Sequence, residues 1–173
     1  ARPELEAAQA KGRLRGALAR AFKSNDLTVP DDLAGRVESA LRQAALDRLG
    51  LEARAGNLVT GSERVEAAAR AGEVSLLIHA ADAGEDGRRK LDQAWRVGSN
   101  EEGSGRRGVV FPADRAILSL ALGRENVVHV ALTGRAAAAR VSHAIGRWLA
   151  FIGPDAALGA ASAAAPDAAT MND

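Results

Sequence analysis

The sequence of 173 residues contains no cysteine and no tyrosine, and aromatic residues make up only 3% of it. The absence of cysteine excludes disulfide scaffolds, cysteine-ligated zinc and thiol chemistry, and it fits a reducing cytoplasm. So few aromatic side chains disfavour domains that stack several bases on aromatic platforms. No apolar run approaches the roughly 20 residues that a membrane span needs, and no signal-peptide pattern opens the chain. These absences predict a cytoplasmic protein without a membrane partner.

Charge is distributed unevenly along the chain, although the formal net charge is only +1. Residues 1–23 hold six basic and two acidic residues, and residues 153–173 hold three acidic residues and no basic one. The stretch between them is therefore neutral overall. Affinity for a polyanion must come from the N-terminal arm or from local arginine clusters. Arginine suits bidentate phosphate contacts, but a bias toward arginine is equally typical of a GC-rich genome.

Hydrophobic periodicity predicts that helices and strands alternate through most of the chain. The predicted helices span 4–22, 33–49, 62–71, 85–96, 112–122 and 135–151, and the predicted strands span 58–59, 74–80, 109–111 and 127–132. Gly50 is expected to end the second helix. Strands separated by helices indicate an α/β fold with helices on both sides of a small sheet.

Three segments are expected from these patterns and from composition. Residues 1–29 form a basic N-terminal helix and linker, and residues 30–152 form the α/β domain. Residues 153–173 contain mainly Ala, Pro, Gly, Ser and Asp, without a periodic apolar face, which predicts a disordered acidic tail.

The segment from Gly103 to Gly108 reads G-x-G-x-x-G, the pattern of a dinucleotide-binding fingerprint. That fingerprint requires a strand before it and a helix that opens at its third glycine. Here a polar stretch precedes the glycines and a strand follows them. The sequence therefore predicts a mobile loop and no cofactor, although Arg106 and Arg107 remain able to contact phosphate.

No arrangement of titratable residues predicts catalysis or a metal site, so a non-enzymatic protein is expected. His79 and His129 lie inside apolar strands, which favours hydrogen-bonded structural histidines over a catalytic base. His143 lies on the polar face of the last helix and is expected to be solvated. Asp82 directly follows a strand, where a helix cap is favoured over a functional carboxylate.

Two segments favour binding. Residues 56–64 lead from a loop through a short strand into a helix N-terminus, where free N–H groups attract anions. Further along, Arg88, Arg89 and Lys90 form a basic cluster on the first turns of a helix. The alternative interpretation of this cluster is a solvated helix face whose charge is balanced by nearby acids, namely Glu85, Asp86 and Asp92.

Three stretches of residues 50–132 carry a family resemblance: 53–61 (ARAGNLVTG), the apolar run from Val74 to Asp82, and 122–128 (LGRENVV). Together they resemble the kink-turn-binding ribosomal-protein domain of the archaeal L-seven-Ae type. Residues 12–23 resemble the end of a YlxR-type domain, a small nucleic-acid-binding domain that precedes the ribosomal-type domain in some bacteria. The chain is therefore expected to be a fragment or a truncated gene product.

The resemblance implies a three-layer α-β-α sandwich around a small mixed four-stranded sheet. It also implies that RNA contacts the helix start after the first strand, through a G-x-N-E-x-x-K motif that aligns on Gly61. In this sequence Glu63 stands where the family has Asn, Arg64 where it has Glu, and Ala67 where it has Lys. A carboxylate in place of the amide adds repulsion toward phosphate. The second contact region, residues 123–127, keeps the family's form.

We therefore predict a protein of the translation or transcription apparatus that binds structured RNA, with a kink-turn-like RNA as one candidate. Ribosomal or transcription-complex proteins are candidate further partners. The predicted contacts are Asn57, Gly61, Ser62, Glu63, Arg64, Arg88, Arg89, Lys90, Arg124, Glu125 and Asn126. The alternative is a protein-interaction module on the same scaffold with little RNA affinity. An enzyme is the third hypothesis, and it is disfavoured because the chain has no room for a catalytic domain.

Overall fold

The computed structural model describes residues 1–153, which form seven helices and four strands. The helices are α1 (Arg2–Ala10), α2 (Arg13–Phe22), α3 (Leu33–Arg54), α4 (Ser62–Arg70), α5 (Glu85–Gly98), α6 (Arg115–Leu122) and α7 (Arg135–Ile152). The strands are β1 (Leu58–Thr60), β2 (Leu76–His79), β3 (Val109–Val110) and β4 (His129–Leu132). None of these helices has both the length and the apolar character needed to cross a bilayer.

The four strands form one mixed sheet in the order β1-β4-β2-β3. Strand β4 is antiparallel to both β1 and β2, and β3 is parallel to β2. Strands β1, β2 and β3 therefore run in the same direction and end at the same edge, where β4 begins. We call this edge the carboxyl edge and the other one the amino edge.

Alternating side chains place helices on both faces of the sheet. Ile78, Val130 and Leu132 join the larger core, which they share with α3, α6 and α7. Leu77 and Ala131 point to the other face and join a smaller core with α4 and α5. This arrangement confirms the predicted α/β fold with three α-β-α layers around a mixed four-stranded sheet.

The N-terminal region contains two helices where the sequence predicts one over 4–22. The break falls at Gly12, whose φ of 65° lies in the left-handed region that glycine adopts without strain. Helix α1 is tied to α3 by an ion pair between Arg2 and Glu38, and Gln9 donates to the carbonyl of Pro30 at 2.6 Å. Helix α2 has no buried residue.

The predicted end of α3 at Gly50 is wrong, because this helix continues to Arg54. Gly50 is buried, and a Cβ atom there would lie 3.4 Å from the carbonyl oxygen of Ala121 in α6. The glycine therefore permits close helix packing inside α3 and does not stop the helix. The other predicted boundaries lie within about three residues of the observed ones. The predicted tail, apart from Gly153, lies outside the described residues.

Candidate nucleic-acid interface

The carboxyl edge gathers most of the predicted RNA contacts into one region. Helices α4, α5 and α6 all begin there because they follow β1, β2 and β3, and the turn after α6 enters β4 at the same edge. The predicted contacts brought together are Gly61, Ser62, Glu63, Arg64, Arg124, Glu125 and Asn126. In open α/β sheets, this is the side on which ligands usually bind.

The start of α4 is open to solvent. Gly61 is its N-cap, with φ 91° and ψ 130°, and no side chain caps the helix. A Cβ atom at Gly61 would find no atom of the described residues within 4 Å, and Ser62, Glu63 and Arg64 are all exposed. The first amides of α4 therefore face solvent with the positive end of the helix dipole. Glu63 stands in that first turn and partly offsets this positive potential.

Arg124 connects the two predicted contact regions. Helix α6 ends at Gly123, which adopts the left-handed conformation with φ 60° and turns the chain back toward the sheet. From there the Nη1 atom of Arg124 donates a hydrogen bond to the Oγ1 atom of Thr60 at 2.6 Å. Thr60 is the last residue of β1 and immediately precedes Gly61. The turn at 123–126 therefore lies beside the start of α4.

Asp82 and Arg115 stabilise the middle of the carboxyl edge. The carboxylate of Asp82 accepts from the backbone amide of Arg115 at 2.9 Å and from its Nε atom at 2.6 Å. Arg115 also donates from Nη1 to the side-chain oxygen of Asn126 at 3.4 Å. The prediction that Asp82 caps a helix is wrong, because the N-cap of α5 is Gly84 and that of α6 is Asp114. Asp82 instead ties the end of β2 to the first residue of α6.

The three basic residues of α5 have different partners. Arg89 pairs with Asp86, and the Nζ atom of Lys90 lies 2.7 Å from the Oε2 atom of Glu66 in α4. Hydrogen bonds from Lys90 and Arg70 hold the pKa of Glu66 below its usual value, although desolvation of the carboxylate acts in the opposite direction. Arg88 is half-buried and has no ion pair within residues 1–153. Local acids therefore neutralise two of the three cations.

Asn57 lies at the amino edge, away from the other predicted contacts. Its side-chain amide donates to Glu52 at 2.8 Å, and Glu52 also accepts two hydrogen bonds from Arg140 of α7, at 2.7 Å and 3.0 Å. These bonds from Arg140 and Asn57 lower the pKa of Glu52 to about 2. Asn57 therefore joins α3 to α7 through Glu52, and the structure does not place it beside Gly61.

A buried polar chain that the sequence did not predict lies under the carboxyl edge. The Nε2 atom of His79 is 3.0 Å from Asp92 Oδ1, and its Nδ1 atom is 2.9 Å from the Nδ1 atom of His129. With an ionised Asp92, His79 donates from Nε2 and accepts at Nδ1 from His129. Burial, together with the nearby His79 and Arg115, lowers the pKa of His129 to about 4. Both histidines are thus hydrogen-bonded core residues, as predicted.

The same chain corrects the interpretation of Asp92 as part of a solvated face. Asp92 is only 7% exposed, and its Oδ1 atom also accepts from the backbone amide of Gly108 at 2.7 Å. Desolvation raises the pKa of this carboxyl, but the hydrogen bonds from His79 and Gly108 outweigh it and leave the pKa below its usual value. The burial of Asp92 has one signal in the sequence, which is its position among apolar residues. Asp92 follows Leu91 and precedes Ala94 and Trp95, and all three are buried.

Two further predictions, on the helix context of the glycine-rich segment and on the exposure of His143, agree with the structure. The glycine-rich segment follows α5 and precedes β3, so no helix opens at Gly108. His143 is exposed on α7, as expected. Within residues 1–153, no three side chains of His, Asp or Glu are placed to hold a metal ion together. The carboxyl edge offers the backbone amides at the start of α4 and the guanidinium groups of Arg64 and Arg124. These donors suit phosphate and carbonyl acceptors.

The comparisons with known proteins assign no function. No family model matches the chain, and no curated protein matches it. A solved structure described as a protein with unknown function from Bacillus halodurans C is similar to it, with 31% identity and a TM-score of 0.48. The match covers 59% of this chain and 96% of that one.

Proposed function

We propose that this protein is a non-enzymatic, cytoplasmic RNA-binding protein of the translation or transcription apparatus, and that its carboxyl edge binds structured RNA. The observation that carries the proposal is the hydrogen bond between Arg124 and Thr60. It joins the 123–126 turn to the start of α4 at Gly61. These are the two segments that the resemblance to the L-seven-Ae-type domain implicates in RNA contact.

The chemistry of this edge supports binding through the RNA backbone. The open amides at the start of α4 attract phosphate, and the exposed Arg64 and Arg124 add two guanidinium groups. Glu63 opposes close approach of phosphate to that helix start. Affinity and position then come from phosphate contacts, while specificity comes mainly from RNA shape.

The N-terminal helices add a second source of electrostatic attraction. Four basic residues of α2 and its C-cap are exposed to solvent: Arg13, Arg15, Arg20 and Lys23. No buried contact restricts α2, so its charges are available to any nearby polyanion. We expect this contribution to be independent of RNA sequence and sensitive to salt.

The proposal is tested by fluorescence anisotropy at two salt concentrations. The RNAs are a kink-turn, an unkinked duplex of equal length and a structured ribosomal RNA fragment. An edge variant, Arg64→Ala with Arg124→Ala, is compared with a control variant, Arg54→Ala with Arg135→Ala. All four arginines are exposed, and the control pair lies at the amino edge. Both variants remove two positive charges, so only the location differs.

We expect the edge variant to bind RNA about tenfold more weakly and to show a salt slope reduced by about 1 to 2. The control variant should stay close to the wild type. Equal losses in both variants would show a diffuse electrostatic effect and contradict an RNA site at the carboxyl edge. A folded wild-type protein that binds none of the three RNAs would contradict the proposal altogether.

A second candidate, the protein-interaction module, is favoured by an exposed apolar surface on the same scaffold. Leu120 is 85% exposed and Leu51 is 46% exposed, and both line a groove between α3 and α6. Exposed apolar patches often mark protein contacts. If this function is correct, Leu120→Glu weakens co-sedimentation with ribosomes while RNA affinity stays unchanged. Ala116→Glu, an exposed position on α6 outside the groove, is the control.

A further inference from the structure

We propose that the cleft between α5 and the loop at 98–108 is a binding site for a phosphate group. The cleft has a volume of about 750 Å³. Arg88, Arg89 and Arg96 line it from α5, and Arg107 lines it from the loop. We call it the arginine cleft. This site goes beyond the proposed RNA function, since phosphate binding there requires no RNA. It also uses residues outside the carboxyl-edge pair of Arg64 and Arg124.

The charges in the arginine cleft are unbalanced. Four guanidinium groups face two carboxylates, Glu85 and Asp92. Asp92 already accepts hydrogen bonds from His79 and from the amide of Gly108, so its capacity to neutralise an arginine is reduced. Arg89 has its own partner in Asp86. The remaining excess of positive charge favours an anion with more than one negative charge.

Arg88 supplies the observation that points most directly to a ligand. Its Nε atom is buried, and it has no hydrogen-bond partner among residues 1–153. Buried donors are nearly always paired, because an unmade hydrogen bond costs roughly 1–3 kcal/mol. Because Arg88 also lines the cleft, a reorientation of its side chain toward a bound anionic oxygen would pair this donor. Arg107, which is exposed at the opposite side, could contact the same anion.

The loop that closes the cleft, which the sequence predicts to be mobile, is held against α5 by three contacts near its end. The amide of Gly108 donates to the buried Asp92 at 2.7 Å. The Nη1 atom of Arg96 donates to the carbonyl of Arg106 at 2.7 Å, and the guanidinium of Arg106 lies 3.7 Å from the centre of the Trp95 ring. A loop fixed in this way pays less entropy when a ligand binds.

Two glycines leave the loop backbone open toward a ligand. Gly103 and Gly105 line the cleft and have φ values of 83° and 72°, which side-chain-bearing residues rarely adopt. A Cβ atom at either position would meet no atom of the described residues within 4 Å. The main chain is therefore accessible at the mouth of the cleft, where its amides can approach an anion closely.

The number and type of donors identify phosphate as the ligand chemistry. Guanidinium groups match phosphate oxygens in bidentate geometry, and several of them exceed what one carboxylate can engage. The volume is within the range of small-molecule sites, so a phosphorylated compound of nucleotide size would fit. The phosphate belongs either to such a free compound or to the backbone of an RNA.

The test is isothermal titration calorimetry of the whole chain with inorganic pyrophosphate at low salt. The cleft variant is Arg88→Ala with Arg107→Ala, and the amino-edge variant with Arg54→Ala and Arg135→Ala is the matched control. We expect the cleft variant to bind pyrophosphate at least about tenfold more weakly and the amino-edge variant to bind it like the wild type. Loss of binding in the cleft variant alone supports the site.

A second variant guards against misfolding of the first, because Arg88 is half-buried. Arg107→Glu changes only an exposed loop residue and reverses its charge, so it should fold normally and still weaken pyrophosphate binding. The proposal is overturned if the wild type releases no binding heat with pyrophosphate. It is equally overturned if wild type, cleft variant, amino-edge variant and Arg107→Glu all bind it alike.

Two further titrations distinguish the sources of the phosphate. If the cleft variant also loses RNA affinity and pyrophosphate competes with RNA, the phosphate belongs to the RNA backbone. If RNA affinity is unchanged while pyrophosphate binding is lost, the ligand is a free phosphorylated compound. Either result supports the cleft. Failure of the RNA proposal is seen separately, since it is measured with the edge variant.

Discussion

Arg124 donates a hydrogen bond from Nη1 to the Oγ1 atom of Thr60 at 2.6 Å, although 64 positions separate the two residues in the sequence. Thr60 is buried at the end of β1, while Arg124 is exposed in the turn after α6. The threonine hydroxyl therefore holds one nitrogen of a guanidinium whose remaining donors face solvent. This contact orients a cation beside the open helix start at Gly61.

Thr60→Val tests whether that orientation matters for RNA binding. Valine keeps the shape of threonine and removes the acceptor, so Arg124 keeps its charge and loses its anchor. We expect RNA affinity to fall about two- to fivefold, consistent with one net hydrogen bond. In the Arg124→Ala background the same change should have no effect. A double-mutant cycle by anisotropy measures this coupling, and additive losses would contradict it.

Restoring the family motif at the start of α4 should increase preference for a kink-turn RNA. The triple variant carries Glu63→Asn, Arg64→Glu and Ala67→Lys, and all three positions are exposed, so the fold should tolerate them. A correct base contact is worth about 1–3 kcal/mol, which predicts about a tenfold gain over an unkinked duplex. The three changes together leave the net charge unaltered, and Ala67→Lys alone controls for the local effect of the new lysine. An equal gain for both RNAs would show only electrostatic attraction.

Gly98 and Gly146 lie in opposite packing environments, so substitution by alanine should have opposite effects on stability at the two positions. A Cβ atom at Gly98 would overlap the carbonyl oxygen of Ala69, since α5 and α4 approach closely there, whereas one at Gly146 in α7 meets nothing within 4 Å. We expect Gly98→Ala to lower the free energy of unfolding by about 1–3 kcal/mol and Gly146→Ala to raise it by about 0.5–1 kcal/mol. Urea denaturation measures both. Equal stability of the two variants would contradict the close approach of α4 and α5.

His129 should make the protein less stable in mild acid. Its pKa is lowered from 6.5 to about 4 by burial and by nearby positive groups, so the unfolded chain takes up this proton more readily than the folded one. The histidine's contribution is fully present above pH 6.5 and is lost as pH falls toward 4. At pH 5 we expect a loss of about 2 kcal/mol relative to pH 7.

Urea denaturation of wild type and His129→Gln at pH 7 and pH 5 tests this expectation. The difference between the two pH values should shrink in His129→Gln and persist in His143→Gln, which removes an exposed histidine on α7. The range from pH 7 to pH 5 avoids the titration of Glu52. The pKa of Glu52 is about 2 in the folded protein, so this residue affects stability only when the pH falls below 4.5, the usual pKa of a glutamate. A wild type that is equally stable at both pH values would contradict the burial of a neutral His129.

Local pattern was sufficient for the elements and for the layers. The apolar runs around Leu77 and Val130 predict strands, the first of them covered on both faces, and both strands are buried throughout. The position of the G-x-G-x-x-G loop before a strand also followed from local pattern. The sequence misleads at Gly50, because a glycine that ends a helix and a glycine that admits a neighbouring helix look the same in sequence. Only the position of α6 distinguishes them.

The candidate site was predicted in part. The helix start at Gly61 and the turn at Arg124 were identified, the first partly from its own pattern and both through the family resemblance. The sequence groups Asn57 with them, because Asn57 lies only four positions before Gly61. Strand β1 lies between the two, and it carries them to opposite edges of the sheet. Three of the four arginines of the arginine cleft, Arg88, Arg89 and Arg107, stand out in the sequence, but as two separate features, because only the fold brings α5 and the loop together.

The sequence by itself determined which segments are helices and strands, because hydrophobic periodicity and capping act over a few residues. The tertiary structure decided which polar groups meet. The pairs Thr60 with Arg124, Asp82 with Arg115, and His79 with Asp92 and His129 depend on the strand order β1-β4-β2-β3. That order is set by how both faces of the sheet are covered by helices, which is a property of the whole core and of no single segment.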